Sequence, residues 1–232
     1  LSGQFSAVFT DARLANRGSG PTGLSLDFSR QRRTAMGVFN LLTSKHIVYL
    51  HGFASSSQSE KALLVRNYFQ QQLPQHQLSV PDLPYTPAEA WQELQLLCLH
   101  NKPDLIVGSS LGGFLATALA EQYQCRAVLI NPAVRPHLLL QQHLGRYYHP
   151  VRMQHYEVQA EHLPQLEALQ VRQLQQPAHY LVLLQTGDEV LDYRQALDFY
   201  QQCQLDVQEG GDHSYQNLQS RLADIVNFGQ LA

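Results

Sequence analysis

The sequence predicts an α/β domain built on a compact, parallel six-stranded sheet with helices on both faces and a modest cap insertion. Short apolar runs alternate with helix-period segments, the rhythm of a parallel sheet covered by helices. Several unusual Gly-bearing loops fall just past such runs, at the carboxyl strand ends where sheets of this kind bind ligands. One stretch of about 45 residues, after the fourth run, breaks the rhythm and is placed where it would lie over those strand ends.

The elements follow in order. His46–Leu50 (HIVYL) is a dense apolar run, read as a buried parallel strand. Ser57 and Glu60 have the spacing of a capping box, and Leu63, Leu64 and Tyr68 give the next helix its stripe. Leu78–Asp82 is a second strand, weakened by Pro81. Thr86-Pro87-Ala88-Glu89 forms another capping box with Pro at the first helical position, and its helix presents Ala90, Trp91, Leu94, Leu97 and Cys98. Asp104–Gly108 is the third strand and runs straight into GSSLGG. The helix from Leu111 to about Gln122 is rich in Ala and Leu and is expected to be deeply buried. Arg126–Ile130, His179–Gln185 and Leu205–Glu209 complete the sheet, and a final helix runs from about Gln216 to Phe228.

A chain of 232 residues suffices for one sizeable core and is short for two full domains. Residues 1–44 are expected to be a leader outside the fold, disordered or a non-native upstream extension, and 45–232 the folded domain. Within the domain, about 136–177 is the cap-like insertion, expected to hold helix-like stretches with many His and aromatic residues. The leader's first 35 residues carry five Arg and two Asp, and Gly18, Gly20, Pro21 and Gly23 break any periodicity. Met36 is the expected true start.

Composition narrows the function. A net charge of -3 without a basic stripe argues against nucleic-acid binding. No apolar run approaches the ~18 residues of a membrane span. Cys98, Cys125 and Cys203 are odd in number and widely spaced, against a disulfide framework or zinc knuckle and in keeping with the reducing cytoplasm. No phosphate-binding P-loop occurs. His137, His143, His149, His155 and His162 recur every six or seven residues, a step that turns ~240° of helix, so no metal site is read there.

Gly108-Ser109-Ser110-Leu111-Gly112 matches G-x-S-x-G between a strand and a helix, the setting of a nucleophile elbow. By register Ser110 is the nucleophile and Ser109 the x position. A serine nucleophile needs a base and the base an orienting acid, arranged along the chain as Ser, acid, His. His213, in GGDHS after the sixth strand, falls where the base belongs. Asp188, in TGDEV after the fifth strand, is the favoured acid. Asp192, a helix-cap position, is the fallback, with Glu189 and Asp212 lesser candidates. The oxyanion needs two backbone N–H donors. These are the residue after the nucleophile, Leu111, and Phe53 in the His51-Gly52-Phe53 loop after the first strand.

IVYLHGFASS, VGSSLGG, LINPAVRP, LLQTGDEVLDYRQA and EGGDHS, in that order over roughly residues 46–228, together resemble the YqiA/YcfP-type esterases of the α/β-hydrolase superfamily. The resemblance implies an enzyme cleaving short acyl esters, or acyl thioesters, with Ser110, Asp188 and His213 as its triad and no cofactor. The partner so implied is a small acyl ester or thioester, with oligomeric state left open. An acyl-CoA thioesterase and a non-catalytic binding protein of the same fold are the alternatives. Asn131 and Arg135 of NPAVRP admit two readings: Arg135 binds an anionic part of the substrate, or the pair serves as a structural ion pair or carbonyl clamp.

Overall fold

A computed structural model describes residues 44–232. The expected leader lies, but for Ser44, outside the described residues, as does Met36. Six strands form one sheet in the order β2-β1-β3-β4-β7-β8. They are β1 (His46–Leu50), β2 (Gln77–Ser79), β3 (Leu105–Ser109), β4 (Arg126–Ile130), β7 (Tyr180–Gln185) and β8 (Gln204–Gln208). Every pairing in it is parallel. The four central strands are almost wholly buried, whereas β2 and β8 are partly exposed edges. This is why the central four read as continuous apolar runs and the edges do not.

Side chains alternate across the sheet, so each strand feeds two cores. Val48, Leu50, Ile106, Leu129, Val182 and Leu184 face one way. There they meet α2 (Pro87–His100), α3 (Leu111–Tyr123) and α6 (Tyr193–Phe199). Ile47, Tyr49, Val107, Val128, Ile130 and Leu183 face the other way, onto α1 (Glu60–Gln72) and α7 (Leu222–Phe228). Fully burying a Leu or Ile contributes roughly 1.5–3 kcal/mol.

The helix expectations needed local revision. The first N-cap is Ser59 rather than Ser57: Ser59 Oγ accepts the Ala62 N–H, while the Ser57 N–H donates to Asp82 in place of Glu60. Helix α1 buries Ala62, Val65 and Phe69, and of the expected stripe Leu64 and Tyr68 pack against the same core while Leu63 is 36% exposed. Thr86 does cap α2 with Pro87 behind it, but its hydroxyl donates to the Glu89 carboxylate and no side-chain bond reaches the helix N–H groups. The last helix is shorter than expected, because Leu218–Arg221 is a tighter 3-10 turn ahead of α7.

Between β4 and β7 the chain forms α4 (Pro136–Leu140), β5 (Gly145–His149), β6 (Gln154–Val158) and α5 (His162–Ala168). β5 and β6 make an antiparallel hairpin, pairing Tyr147 with Tyr156 and Tyr148 with His155. The helix-like reading missed this hairpin, since its side chains are polar or aromatic on both faces and give no apolar alternation. Leu140, Val158 and Leu166 join the core on the α2–α3 side. His149 is buried and donates through Nε2 to the Ser55 carbonyl at 3.2 Å, tying the hairpin to the loop after β1. Tyr156 meets Phe53 edge to face, ring centres 5.6 Å apart, and stacks on Tyr85 at 4.3 Å. Among the described residues no helix is long and apolar enough to cross a membrane.

Candidate active site

The strand order reverses direction between β1 and β3, the switch point at which open sheets of this kind bind ligands. Ser110 follows β3 at that point with φ 56° and ψ -121°, positive-φ backbone that costs a non-glycine residue about 1–3 kcal/mol. The strain is held by the surroundings. The Ser110 N–H donates to the Ile130 carbonyl at 3.0 Å, and the Ser110 carbonyl accepts from Gly113, Phe114 and Ala133.

Close approach of backbone forces two glycines here. A Cβ on Gly112 would fall inside the Leu50 carbonyl at the end of β1. One on Gly52 would lie 3.1 Å from the Ser110 Cβ. Gly112→Ala is accordingly expected to destabilise the fold by about 3 kcal/mol, the upper range for overpacking. Urea denaturation checks this, and an unchanged midpoint would mean that β1 and α3 separate freely.

His213 bridges the other two expected members. Its Nδ1 lies 2.9 Å from both carboxylate oxygens of Asp188, and its Nε2 lies 3.0 Å from Ser110 Oγ. An ionised carboxylate only accepts, so Nδ1 carries the proton and donates, leaving the Nε2 lone pair to accept from the Ser110 hydroxyl. The Asp188 side chain is 1% exposed and that of His213 22%. Burial alone would raise the Asp188 carboxyl, but the hydrogen bond from His213 and the N–H groups of Leu191 and Val190 outweigh it and hold the carboxyl below its ordinary range. Asp192 is turned away as the cap of α6, accepting the Arg194 N–H. Glu189 accepts the His213 backbone N–H, and one Asp212 oxygen accepts from Gln216 Nε2, so neither touches the imidazole nitrogens.

Neither the Phe53 nor the Leu111 N–H has a hydrogen-bond partner among the described residues. Leu111 opens α3, so its N–H is one of the helix's unpaired donors. Both residues line a small, mostly apolar cavity of about 30 Å³, walled by Leu115, Leu140, Val158 and Leu166.

Three supporting residues escaped the sequence reading of the site. His51 is 4% exposed, donates through Nδ1 to the Gly52 carbonyl and accepts the Leu83 N–H, which fixes the turn carrying Phe53. Desolvation lowers its pKa, and hydrogen bonding to Gly52 and the charge of Asp82 only partly oppose this. Gln185 accepts from the N–H groups of Asp212 and Gln216 and so shapes the loop that carries His213, where Gly210 and Gly211 both take positive φ. Lys61 donates to Ser109 Oγ at 2.7 Å. The HGF motif includes His51 without showing its supporting bond to Leu83, and no local motif marks Gln185 or Lys61, whose partners are distant in sequence.

The NPAVRP loop divides its roles. Asn131 is buried, donates to the Asp212 carbonyl and accepts the Gln185 N–H, the carbonyl-clamp reading. Arg135 is exposed, in the wall of a groove of about 660 Å³ whose lining includes Arg172 but neither Ser110 nor His213.

Comparison with known proteins agrees with this architecture. The sequence model of the uncharacterised protein family UPF0227, the YqiA/YcfP family, matches residues 46–230. Among solved structures, mouse alpha/beta hydrolase domain-containing protein 10 is similar at TM-score 0.60 and 18% identity, over 80% of this chain and 88% of its own. Est1E from Butyrivibrio proteoclasticus, solved with ferulic acid bound, is similar at TM-score 0.59 and 16% identity, over 82% and 89%. An esterase domain from a Rhodothermus marinus protein is similar at TM-score 0.58 and 18% identity, over 81% and 87%. At such identities the likeness is one of fold, and the fold is that of the α/β hydrolases.

Proposed function

Because the chain belongs to the YqiA/YcfP family, UPF0227, we propose that it is a serine hydrolase that cleaves short acyl carboxylic esters through an acyl-Ser110 intermediate. The observation that carries this is the imidazole of His213 hydrogen-bonded to Asp188 through one nitrogen and to Ser110 Oγ through the other. His213 Nε2 takes the hydroxyl proton as Oγ attacks the acyl carbon. The Phe53 and Leu111 N–H groups hold the negative charge that develops on the carbonyl oxygen. As the tetrahedral intermediate collapses, the C–O bond to the alcohol breaks and Nε2 returns its proton to the leaving oxygen. Water, deprotonated by the same nitrogen, then attacks the acyl-enzyme and releases the acid and free Ser110. Asp188 orients the imidazole and stabilises its transient positive charge.

The cavity beside Phe53 and Leu111 supports a short acyl group. Across p-nitrophenyl esters of rising chain length, kcat/KM is expected to be greatest for acetate to butyrate. It should fall roughly tenfold or more by octanoate, since forcing extra methylenes into a filled pocket costs about 1–3 kcal/mol. An acyl-CoA of matched chain length in the same assay separates ester from thioester cleavage. Failure of Ser110 to react with a fluorophosphonate would favour a non-catalytic binding protein. The free thiols Cys98, Cys125 and Cys203 support a reducing, cytoplasmic setting.

A further inference from the structure

Ser110 leaves β3 and His213 sits in the loop after β8, with β4 and β7 between those two strands in the sheet. Three strand spacings of about 4.8 Å separate the points of attachment, yet His213 Nε2 stands within hydrogen-bond reach of Ser110 Oγ. The span is closed from the end of β4. The Ile130 carbonyl accepts the Ser110 N–H at 3.0 Å, and the Ala133 N–H donates to the Ser110 carbonyl at 3.1 Å. Between them in sequence stands Asn131, 2% exposed. Its Nδ2 donates to the Asp212 carbonyl at 3.0 Å and, over a longer contact of 3.4 Å, to that of His213.

The partners fix the amide's orientation. Asn131 Oδ1 accepts the Gln185 N–H at 2.9 Å, which leaves both Nδ2 protons for the two carbonyls. The residue has φ 40°, a left-handed conformation that Asn tolerates better than most side chains, and its own N–H donates to the Leu183 carbonyl. Among the described residues, the other backbone groups of Gly210–His213 that bond to another element do so with Gln185, Thr186, Gly187 and Glu189. All four lie at the end of β7 or in the loop after it. Asn131 is thus the direct tie between the segment that holds the nucleophile and the loop that carries the base.

On the serine-hydrolase reading above, we propose that Asn131 is a positioning residue that sets the separation of Ser110 Oγ and His213 Nε2. Without its two donors the backbone of the base loop is anchored to β7 and the following loop alone, and Nε2 drifts from its 3.0 Å contact with Oγ. A misplacement of about 1 Å costs roughly 10²-fold in rate. Substrate binding is left alone, because Asn131 is not in the wall of the cavity beside Phe53 and Leu111. The test is kcat and KM for p-nitrophenyl acetate in Asn131→Ala and Asn131→Gly. In each, kcat is expressed per Ser110 labelled by a fluorophosphonate at the end point.

Both variants are expected to lose roughly 10- to 100-fold in kcat per labelled site, with KM within about threefold of wild type. Gly removes the amide and suits the positive φ, so it decides if Ala does not fold. A purely structural role lowers the number of labelled sites and leaves kcat per site unchanged, and that result overturns the proposal. A loss carried mainly by KM overturns it too, as does failure of both variants to fold. Wild-type Ser110 is labelled alongside, and absence of its adduct would tell against the hydrolase reading rather than against Asn131.

Discussion

Ser110→Ala is expected to lower kcat by roughly 10⁴-fold or more while leaving stability close to wild type. The activity loss follows because no second hydroxyl occupies the position Oγ holds, 3.0 Å from His213 Nε2. Stability is kept because the strain at this residue is in its backbone, at φ 56°, and Ala suffers it no more than Ser. The backbone bonds that hold the turn, from Ser110 N to Ile130 and from Gly113, Phe114 and Ala133 to its carbonyl, are unaffected by the change. Ser109→Ala should reduce kcat far less. Its effect should fall on stability, at about 1–3 kcal/mol, because the Lys61 ammonium loses its partner in a poorly hydrated site. Mass spectrometry after fluorophosphonate treatment distinguishes the two serines, and an adduct on Ser109 with Ser110 unmodified would refute the assignment.

What could be read from the sequence is what is encoded locally. The elbow was legible because a strand, a serine between glycines and a helix start lie within a few consecutive residues. The central strands were legible because burial on both faces demands unbroken apolar runs. The first helix cap was not, because the Ser57–Glu60 spacing matches a capping box, while in the fold Ser59 takes the Ala62 N–H and the Ser57 N–H goes to Asp82, a partner distant in sequence. The β5–β6 hairpin hid for a related reason. Tyr147, Tyr148, His155 and Tyr156 pair across the strands, and no apolar face marks the period. The supports of the site were the least legible. His51 works through Leu83, Asn131 through Gln185 and the Asp212 carbonyl, and Lys61 through Ser109, each partner being brought in by the sheet order rather than by sequence spacing.

Asp188→Asn is expected to preserve the fold yet reduce kcat by roughly 10⁴-fold, because the substitution reverses the hydrogen-bond polarity at one atom. Asp188 Oδ1 accepts from the Val190 and Leu191 N–H groups at 2.9 and 2.8 Å, and both need an oxygen there. The amide of an Asn must therefore place its nitrogen where Oδ2 stands, 2.9 Å from His213 Nδ1. Two donors cannot share that contact, and Oδ1, though also 2.9 Å from Nδ1, already accepts two backbone N–H groups, so Nδ1 gives up its proton and the neutral ring carries it on Nε2. Protonated Nε2 has no lone pair for the Ser110 hydroxyl, and the base is lost with its geometry intact. Asp192→Asn should change little, because Asn caps a helix about as well as Asp and the Arg194 N–H keeps its acceptor. The pH dependence follows from the sign of the Asp188 shift. Its folded carboxyl is held below the ordinary range, so its stabilising contribution is complete above that range and is lost as pH falls through the lower, folded value. Acid denaturation of the Asp188→Asn protein should lack that loss. Steady-state kinetics and acid titration of the two variants decide the point. A crippled Asp192→Asn would move the acid to the helix cap, and full activity in both would leave His213 oriented by another group.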